Sequence, residues 1–250
     1  MLAIDPRNRN AAAVGEALLS HWPDVERSDL VVVVGGDGFM LATVAKYGFE
    51  RCYLGINAGR VGFLLNAVDD WSSVGPLLQS GQFERFSFSV LQADITTTDG
   101  KTTREMAIND IYLERMTGQT ARLSLQIGSE SVVDTLVADG IIFATPLGST
   151  GYSLSAGGPI AHPSIDAIFV TPICVHSPRM PPFALAKDAV CRVGVQLPTL
   201  RPVRVVADGK EIDNVETISV SFASERVSLA FLSGHDFTAA QVTKVLGTNQ

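Results

Sequence analysis

The amino-acid sequence predicts a fold of class α/β plus β, and three observations carry that prediction. Up to about residue 82, apolar runs of strand length alternate with stretches of helical spacing, which implies a parallel sheet covered by helices. Beyond it the chain breaks into short alternating segments with turn signals between them, the pattern of antiparallel β structure. The last stretch, "DFTAAQVTKVLG", returns to helical spacing. The expected division is therefore 1–82 as an α/β domain, with 228–250 returning to it, and 83–227 as a β-rich domain.

Within the first region, a helix is expected from Asn10, with Val14, Ala17, Leu18 and His21 on one face and Pro23 ending it. Residues 30–34 read as a buried strand, 39–47 as a helix and "RCYLGI" as a second strand. "DDWSSVGPLLQ" follows as a helix with acidic residues at its start, where the helix dipole favours them. In the second region "FERFSFSVLQAD", "KTTREMAINDIYLE", "ARLSLQIG" and "ESVVDTLVADGIIFA" are strand-like, with Asp99-Gly100 and Gly128-Ser129 as turns. "AIFVTPICV", "AVCRVGVQL", "RPVRVVADG" and "TISVSFA" continue the pattern.

Composition narrows the function. The 250-residue chain is long enough for a full core, and no apolar run approaches the ~20 residues that span a bilayer, so no membrane crossing is expected. "MLAIDPRNRN" lacks a basic-then-apolar signal layout, which makes the cytoplasm the expected location. Three scattered cysteines suggest neither a disulfide framework nor a zinc site. A net charge of −7 argues against a nucleic-acid partner and requires any phosphate ligand to be held locally.

Four segments carry candidate chemistry. In "DLVVVVGGDGFM" a strand runs into a glycine turn before a helix, the arrangement that places backbone N–H groups against phosphate. Gly35 and Gly36 allow close approach, and Gly38 permits an unusual dihedral or a tight helix entry. A carboxylate in such a turn repels phosphate unless it faces a hydroxyl or a bound Mg²⁺. Asp37 can then accept the proton of an attacking hydroxyl, or it is a turn aspartate capping the helix. "GINAGRVGFLL" delivers a second Gly-rich loop; its Arg60 is a phosphate ligand or a solvated arginine, and its Phe63 lines a ligand surface or packs in the core.

"AINDIYLER" sets Asn109 beside Asp110, and neighbours on a regular strand face opposite ways, so both reach one ligand only at a strand end or bend. The pair is a ribose-hydroxyl site or an ordinary turn. "DGIIFATPLGSTGYSLSAGGPI" is dense in Gly, Ser and Thr, a composition that costs entropy and hydration in a plain core and that a polar ligand offsets. No G-x-x-x-x-G-K-[ST], protein-kinase H-R-D set or H-E-x-x-H occurs, so a phosphoryl-transfer reading must work without a Walker lysine, and on that reading a divalent metal, Mg²⁺ or else Mn²⁺, is expected to offset the donor's charge.

Taken in order, "GGDG", "INAGRVGFL", "ND", "TLVADGIIFATPLGSTGYSLSAGGPI" and "VVADGKE" resemble the NAD kinase family over almost the whole chain. GGDG alone is shared with phosphofructokinases and with diacylglycerol and sphingosine kinases. The resemblance implies a Rossmann-like N-terminal domain and a β-sandwich-like, NAD-binding second domain, with ATP or inorganic polyphosphate phosphorylating the 2′-hydroxyl of the adenosine ribose of NAD. Carried over by motif, Asp37 is the catalytic carboxylate, Gly36 and Gly38 form the phosphate-side turn and Phe63 borders the dinucleotide. Asn109 and Asp110 hold the ribose or adenine side, Asp139 the nicotinamide carboxamide end, and Ser149, Thr150, Tyr152 and Ser155 line the groove. Asp208 is a secondary candidate. No direct protein ligand to the metal is assigned, and a homodimer or homotetramer is expected. The chain departs from the family pattern in having Phe39 where Thr is common, Asn-Asp for Asn-Glu, Leu147 and Gly151 for a small polar residue and alanine, and a first strand shortened to "MLAI". Two other readings stand beside this one: a lipid or sugar kinase of the wider GGDG group, and a catalytically weak NAD-binding regulator.

Overall fold

The computed structural model describes residues 1–59, 62–241 and 245. The chain divides into two compact units, Met1–Phe88 with Glu225–Gln250, and Ser89–Ser224.

The first unit is built on a parallel sheet. Its elements are β1 (Leu2–Ile4), α1 (Ala11–His21), β2 (Leu30–Gly35), α2 (Asp37–Tyr47), β3 (Cys52–Asn57) and α3 (Trp71–Gln79). β2 pairs in parallel with β1 (Leu2↔Val32) and with β3 (Val32↔Leu54), so the short "MLAI" segment does form the first strand. Four valines in a row suit a strand covered on both faces. On one face Val32, Val34, Leu54 and Ile56 join Ala11 and Leu18 of α1 and Leu78 of α3 in a common core. On the other, a Cβ at Gly55 would lie 2.7 Å from the Met40 side chain of α2. α3 begins as its acidic start suggests: Asp70 is its N-cap and accepts the N–H of Ser72 at 2.9 Å.

The second unit is built of antiparallel strand pairs. β4 (Phe83–Thr97) leads into it, followed by β5 (Thr102–Ala107), β6 (Asp110–Arg115), β7 (Ala121–Ile127), β8 (Glu130–Ala138) and β9 (Gly140–Ala144). After the short helix α4 (Tyr152–Ser155) come β10 (Ala167–Ile173), β11 (Phe183–Ala186), β12 (Cys191–Val195), β13 (Val203–Ala207) and β14 (Lys210–Ile212). One sheet has the order β11-β10-β9-β6-β13-β14. In the other, β12 lies between β7 and the first half of β15 (Val215–Leu232), β7 pairs with β8, and β5 pairs with β4. Ile111, Phe143 and Val205 of the first sheet share one core with Leu91, Leu123, Val193 and Ile218 of the second, which makes the unit a β-sandwich.

The far end of β15 re-enters the first unit, pairing in parallel with β3 (Leu229↔Tyr53), and leads to α5 (Phe237–Gln241). The expected helix over "DFTAAQVTKVLG" extends past α5, where only residue 245 is described. Among the described residues no helix is long and apolar enough to cross a membrane.

Candidate active site

In the first unit the chemistry collects where β2 ends. Gly36 is extended (φ −118°, ψ 177°) and Gly38 is absent from the left-handed positions, so neither glycine is demanded by backbone strain. The unusual dihedral considered for Gly38 does not occur; the residue lies in the first turn of α2, the tight helix entry. Among the described residues, and leaving out its own chain neighbours and the helix's own backbone, a Cβ at Gly36 or at Gly38 would meet nothing within 4 Å. Gly35 is different. A Cβ on it would come within 2.9 Å of the Phe39 ring, which lies over the strand end in place of the commoner threonine.

Asp37 is the first residue of α2, and the cap position belongs to Gly36. Its carboxylate is aimed away from the helix at the second glycine loop: Phe63 donates its N–H to both oxygens, at 3.1 and 2.9 Å, and Leu64 donates to Oδ1 at 3.0 Å. The helix thus starts two residues before the expected 39, and the aspartate ties two loops together instead of capping its own. The far side of that loop is fastened by Asn66, which sequence reasoning missed. Its amide donates to Gly55 O at 2.9 Å and to Ala230 O at 3.2 Å, and its Oδ1 accepts from Leu232 at 2.8 Å. Arg60 lies outside the described residues.

In the second unit, Asn109 and Asp110 stand at the bend between β5 and β6, as two neighbours must if both are to face one ligand. The backbone of the bend is held from two sides. Asp208 accepts the N–H groups of Ile108, Asn109 and Asp110 at 2.6, 3.0 and 3.3 Å. From the other side Thr145 donates its N–H to Asn109 O at 2.9 Å and its hydroxyl to Ile108 O at 2.6 Å. A Cβ at Gly148 would run into the Asn109 carbonyl, so only glycine lets this loop lie so close.

The side chains of the bend are left without partners. Asn109 Oδ1 is buried with no hydrogen-bond partner, and Asp110 is 8% exposed with no hydrogen bond to its carboxylate among the described residues. Burial, and then the Asp208 carboxylate, push Asp110 up to about 7; burial pushes Asp208 up to about 6 against the lowering effect of its three N–H donors. Beside Asp110, a Cβ at Gly151 would lie 3.8 Å from Oδ2, so the glycine leaves room there that an alanine methyl would occupy.

The Ser/Thr-rich loop sorts its hydroxyls by burial. Ser149 is fully buried, donating to Pro146 O at 2.6 Å and accepting from Ala161 N–H at 3.0 Å, so it fastens the loop and presents no hydroxyl to a groove. Thr150 is half-buried, its hydroxyl 3.3 Å from Leu147 O, and Ser155 is exposed. Tyr152 opens α4 edge-on to Tyr112, with ring centroids 4.9 Å apart. Asp139 is paired with Arg115 at 2.6 Å, a partner sequence reasoning did not identify, and both line a cavity of about 440 Å³ with Glu114, Thr117, Tyr152 and Ile173. Asn109, Asp110, Gly148, Gly151 and Asp208 therefore form one neighbourhood, Tyr152 and Asp139 share a cavity, and Asp37 and Phe63 belong to the other unit.

A glycine turn and its aspartate thus lie on a parallel-sheet unit, and a desolvated Asn-Asp bend on a β-sandwich unit. Residues 108–236 match the ATP-NAD kinase C-terminal domain. The chain is 36% identical over 227 residues to an NAD kinase of Xylella fastidiosa (strain 9a5c), covering 88% of this chain and 86% of that protein. With an NAD kinase of Hyphomonas neptunium it shares 37% identity over 214 residues, 84% of this chain and 82% of that one. Among solved structures it is similar to yeast NADH kinase complexed with NADH (TM-score 0.79, 28% identity, 92% of this chain and 69% of that chain). The fold is shared as well with an NAD kinase from Archaeoglobus fulgidus in complex with ATP (TM-score 0.77, 24% identity, 99% of each chain). The chain belongs to the NAD kinase family. These comparisons lend nothing to a lipid or sugar kinase or to a non-catalytic regulator.

Proposed function

We propose that the protein is an NAD kinase that transfers the terminal phosphoryl group of ATP, or of inorganic polyphosphate, to the 2′-hydroxyl of the adenosine ribose of NAD, forming NADP. The observation that carries the reading is the pair of unpartnered polar side chains at the Asn109-Asp110 bend. Leaving a buried polar atom unsatisfied costs about 1–3 kcal/mol, and a ligand presenting vicinal hydroxyls offsets that cost. Thr150, Tyr152, Ser155 and Asp139 extend the dinucleotide site, Asp139 with its charge already balanced by Arg115.

In the chemical step the 2′-oxygen forms a bond to the terminal phosphorus as the bond from phosphorus to the β–γ bridging oxygen breaks, releasing ADP or a shortened polyphosphate. The proton of the 2′-hydroxyl passes to the Asp37 carboxylate, whose direction the Phe63 and Leu64 N–H groups set. Gly36 and Gly38 leave the end of β2 open to phosphate oxygens. A divalent cation, Mg²⁺ or Mn²⁺, enters in this proposal chelated by the donor's phosphates as part of that substrate; among the described residues no cluster of three or more His, Cys, Asp or Glu is arranged to hold one. An assembly of two or four copies and a cytoplasmic location belong to the same proposal, to be tested by light scattering and by cell fractionation.

The test of the activity incubates the protein with NAD, Mg²⁺ and either donor and measures NADP. Phosphorylation of a sphingoid base or of fructose 6-phosphate, with NAD left unchanged, would overturn the reading.

A further inference from the structure

We propose that Asp208 is a positioning residue for the NAD ribose: by holding three consecutive N–H groups of the Ile108–Asp110 bend, it sets where Asn109 and Asp110 point. The inference rests on the NAD kinase reading, since it assigns the bend to ribose recognition.

Asp208 and Gly209 form the two-residue turn between β13 and β14, with Ala207 opposite Lys210. Both turn residues are left-handed, at φ 44° and 87°, the conformation that such hairpins require and that Asp and Gly tolerate. A hairpin aspartate ordinarily spends its carboxylate on its own turn or on water. This one reaches instead to a segment 98 to 100 residues away in the chain. β13 lies beside β6, with Ala207 opposite Ile111, so the turn after β13 falls level with the bend before β6. The Asp208 N–H also donates to Asp110 O at 3.2 Å, which ties the two backbones directly.

Every backbone group named at the bend is therefore engaged. The N–H groups of residues 108–110 go to Asp208, the carbonyls of Ile108 and Asn109 to Thr145, and the carbonyl of Asp110 to Asp208 N–H. What remains without a partner is the two side chains. A bend with three unmet N–H groups would turn to find acceptors, and Asn109 and Asp110 would turn with it.

Asp208→Asn is the deciding variant. It keeps one oxygen for Asn109 and Asp110 and sets an NH₂ group against the Ile108 N–H. In the folded variant KM for NAD should rise about tenfold or more, the usual loss for a hydrogen bond to a charged group, with KM for the phosphate donor within about twofold of wild type because the Gly36–Gly38 turn belongs to the other unit. Hydrogen exchange at the amides of Ile108, Asn109 and Asp110 should quicken in the same variant, a readout independent of any activity. Asp208→Ala should show the larger NAD defect of the two. A lowered melting temperature with unchanged KM for NAD would overturn the proposal, as would equal losses for NAD and donor. A wild-type protein that makes no NADP would sink the NAD kinase reading instead, while the exchange result would still report whether Asp208 holds the bend.

Discussion

Phe63 donates its backbone N–H to both carboxylate oxygens of Asp37, at 3.1 and 2.9 Å. The aspartate of GGDG is thus held by a loop 26 residues further along the chain, whose N–H groups set its direction. In Asp37→Asn the oxygen retains one acceptor, but the amide can no longer take the proton of an attacking hydroxyl. Turnover should fall by about 10²–10⁴, with NAD binding measured by calorimetry near the wild-type value. Near-normal turnover would reduce Asp37 to a tether between two loops.

Gly36→Val tests the phosphate turn. Position 36 has an extended backbone that valine adopts readily, and among the described residues a Cβ there meets nothing within 4 Å beyond its own chain neighbours, so the variant should fold with a melting temperature close to wild type. Activity should be abolished because the new side chain occupies the space where, on the proposed reading, phosphate oxygens approach the backbone. Wild-type donor affinity in the folded variant would show that this turn holds no phosphate.

On the proposed reading, Asp110 should couple NAD binding to pH. With its carboxyl raised from 3.8 to about 7, the folded protein holds this proton more tightly than the unfolded chain does, so the contribution to stability is full at low pH and is lost as pH rises from about 4 through 7. Asp208, raised in the same direction, adds to that slope, so the comparison that isolates Asp110 is wild type against Asp110→Asn. Without NAD the variant should be the more stable of the two at pH 8, by thermal melting. If ribose hydroxyls donate to the ionised carboxylate, as proposed, NAD binding to wild type near pH 7 should release a proton, visible in calorimetry as a dependence on buffer ionisation heat. Asp110→Asn should bind NAD more weakly by about 1.5–3 kcal/mol and lose the proton release. A variant that keeps both affinity and proton release would remove Asp110 from the ribose site.

Chelation tests the cation. Activity should vanish in excess EDTA and return on adding Mg²⁺ or Mn²⁺, because no Walker lysine is present to offset the donor's charge. Unchanged turnover in EDTA would contradict that role.

Local sequence determined most of the strands and helices, because burial on two faces, a glycine turn or an acidic N-cap leaves its mark within a few residues. The valine run of β2, the Asp70 cap of α3 and the turns at Gly100 and Gly128 are of this kind. The requirement for a bend at Asn109-Asp110 was also legible, since a strand's alternation forbids two neighbours from facing one ligand. Chain-local patterning did not reveal β11 or β14. Only the tertiary structure decided which hydroxyl of "GSTGYS" is used up inside, because Ser149 is buried by its bonds to Pro146 and Ala161 and nothing in the run distinguishes it from Thr150. It likewise decided that Asp37 serves a distant loop, that Arg115 balances Asp139 and that a hairpin aspartate at 208 supports the bend at 109. Each of these is a hydrogen bond between groups far apart in the chain, and its partner is chosen by strand register and loop packing, which no residue's own neighbours in sequence encode.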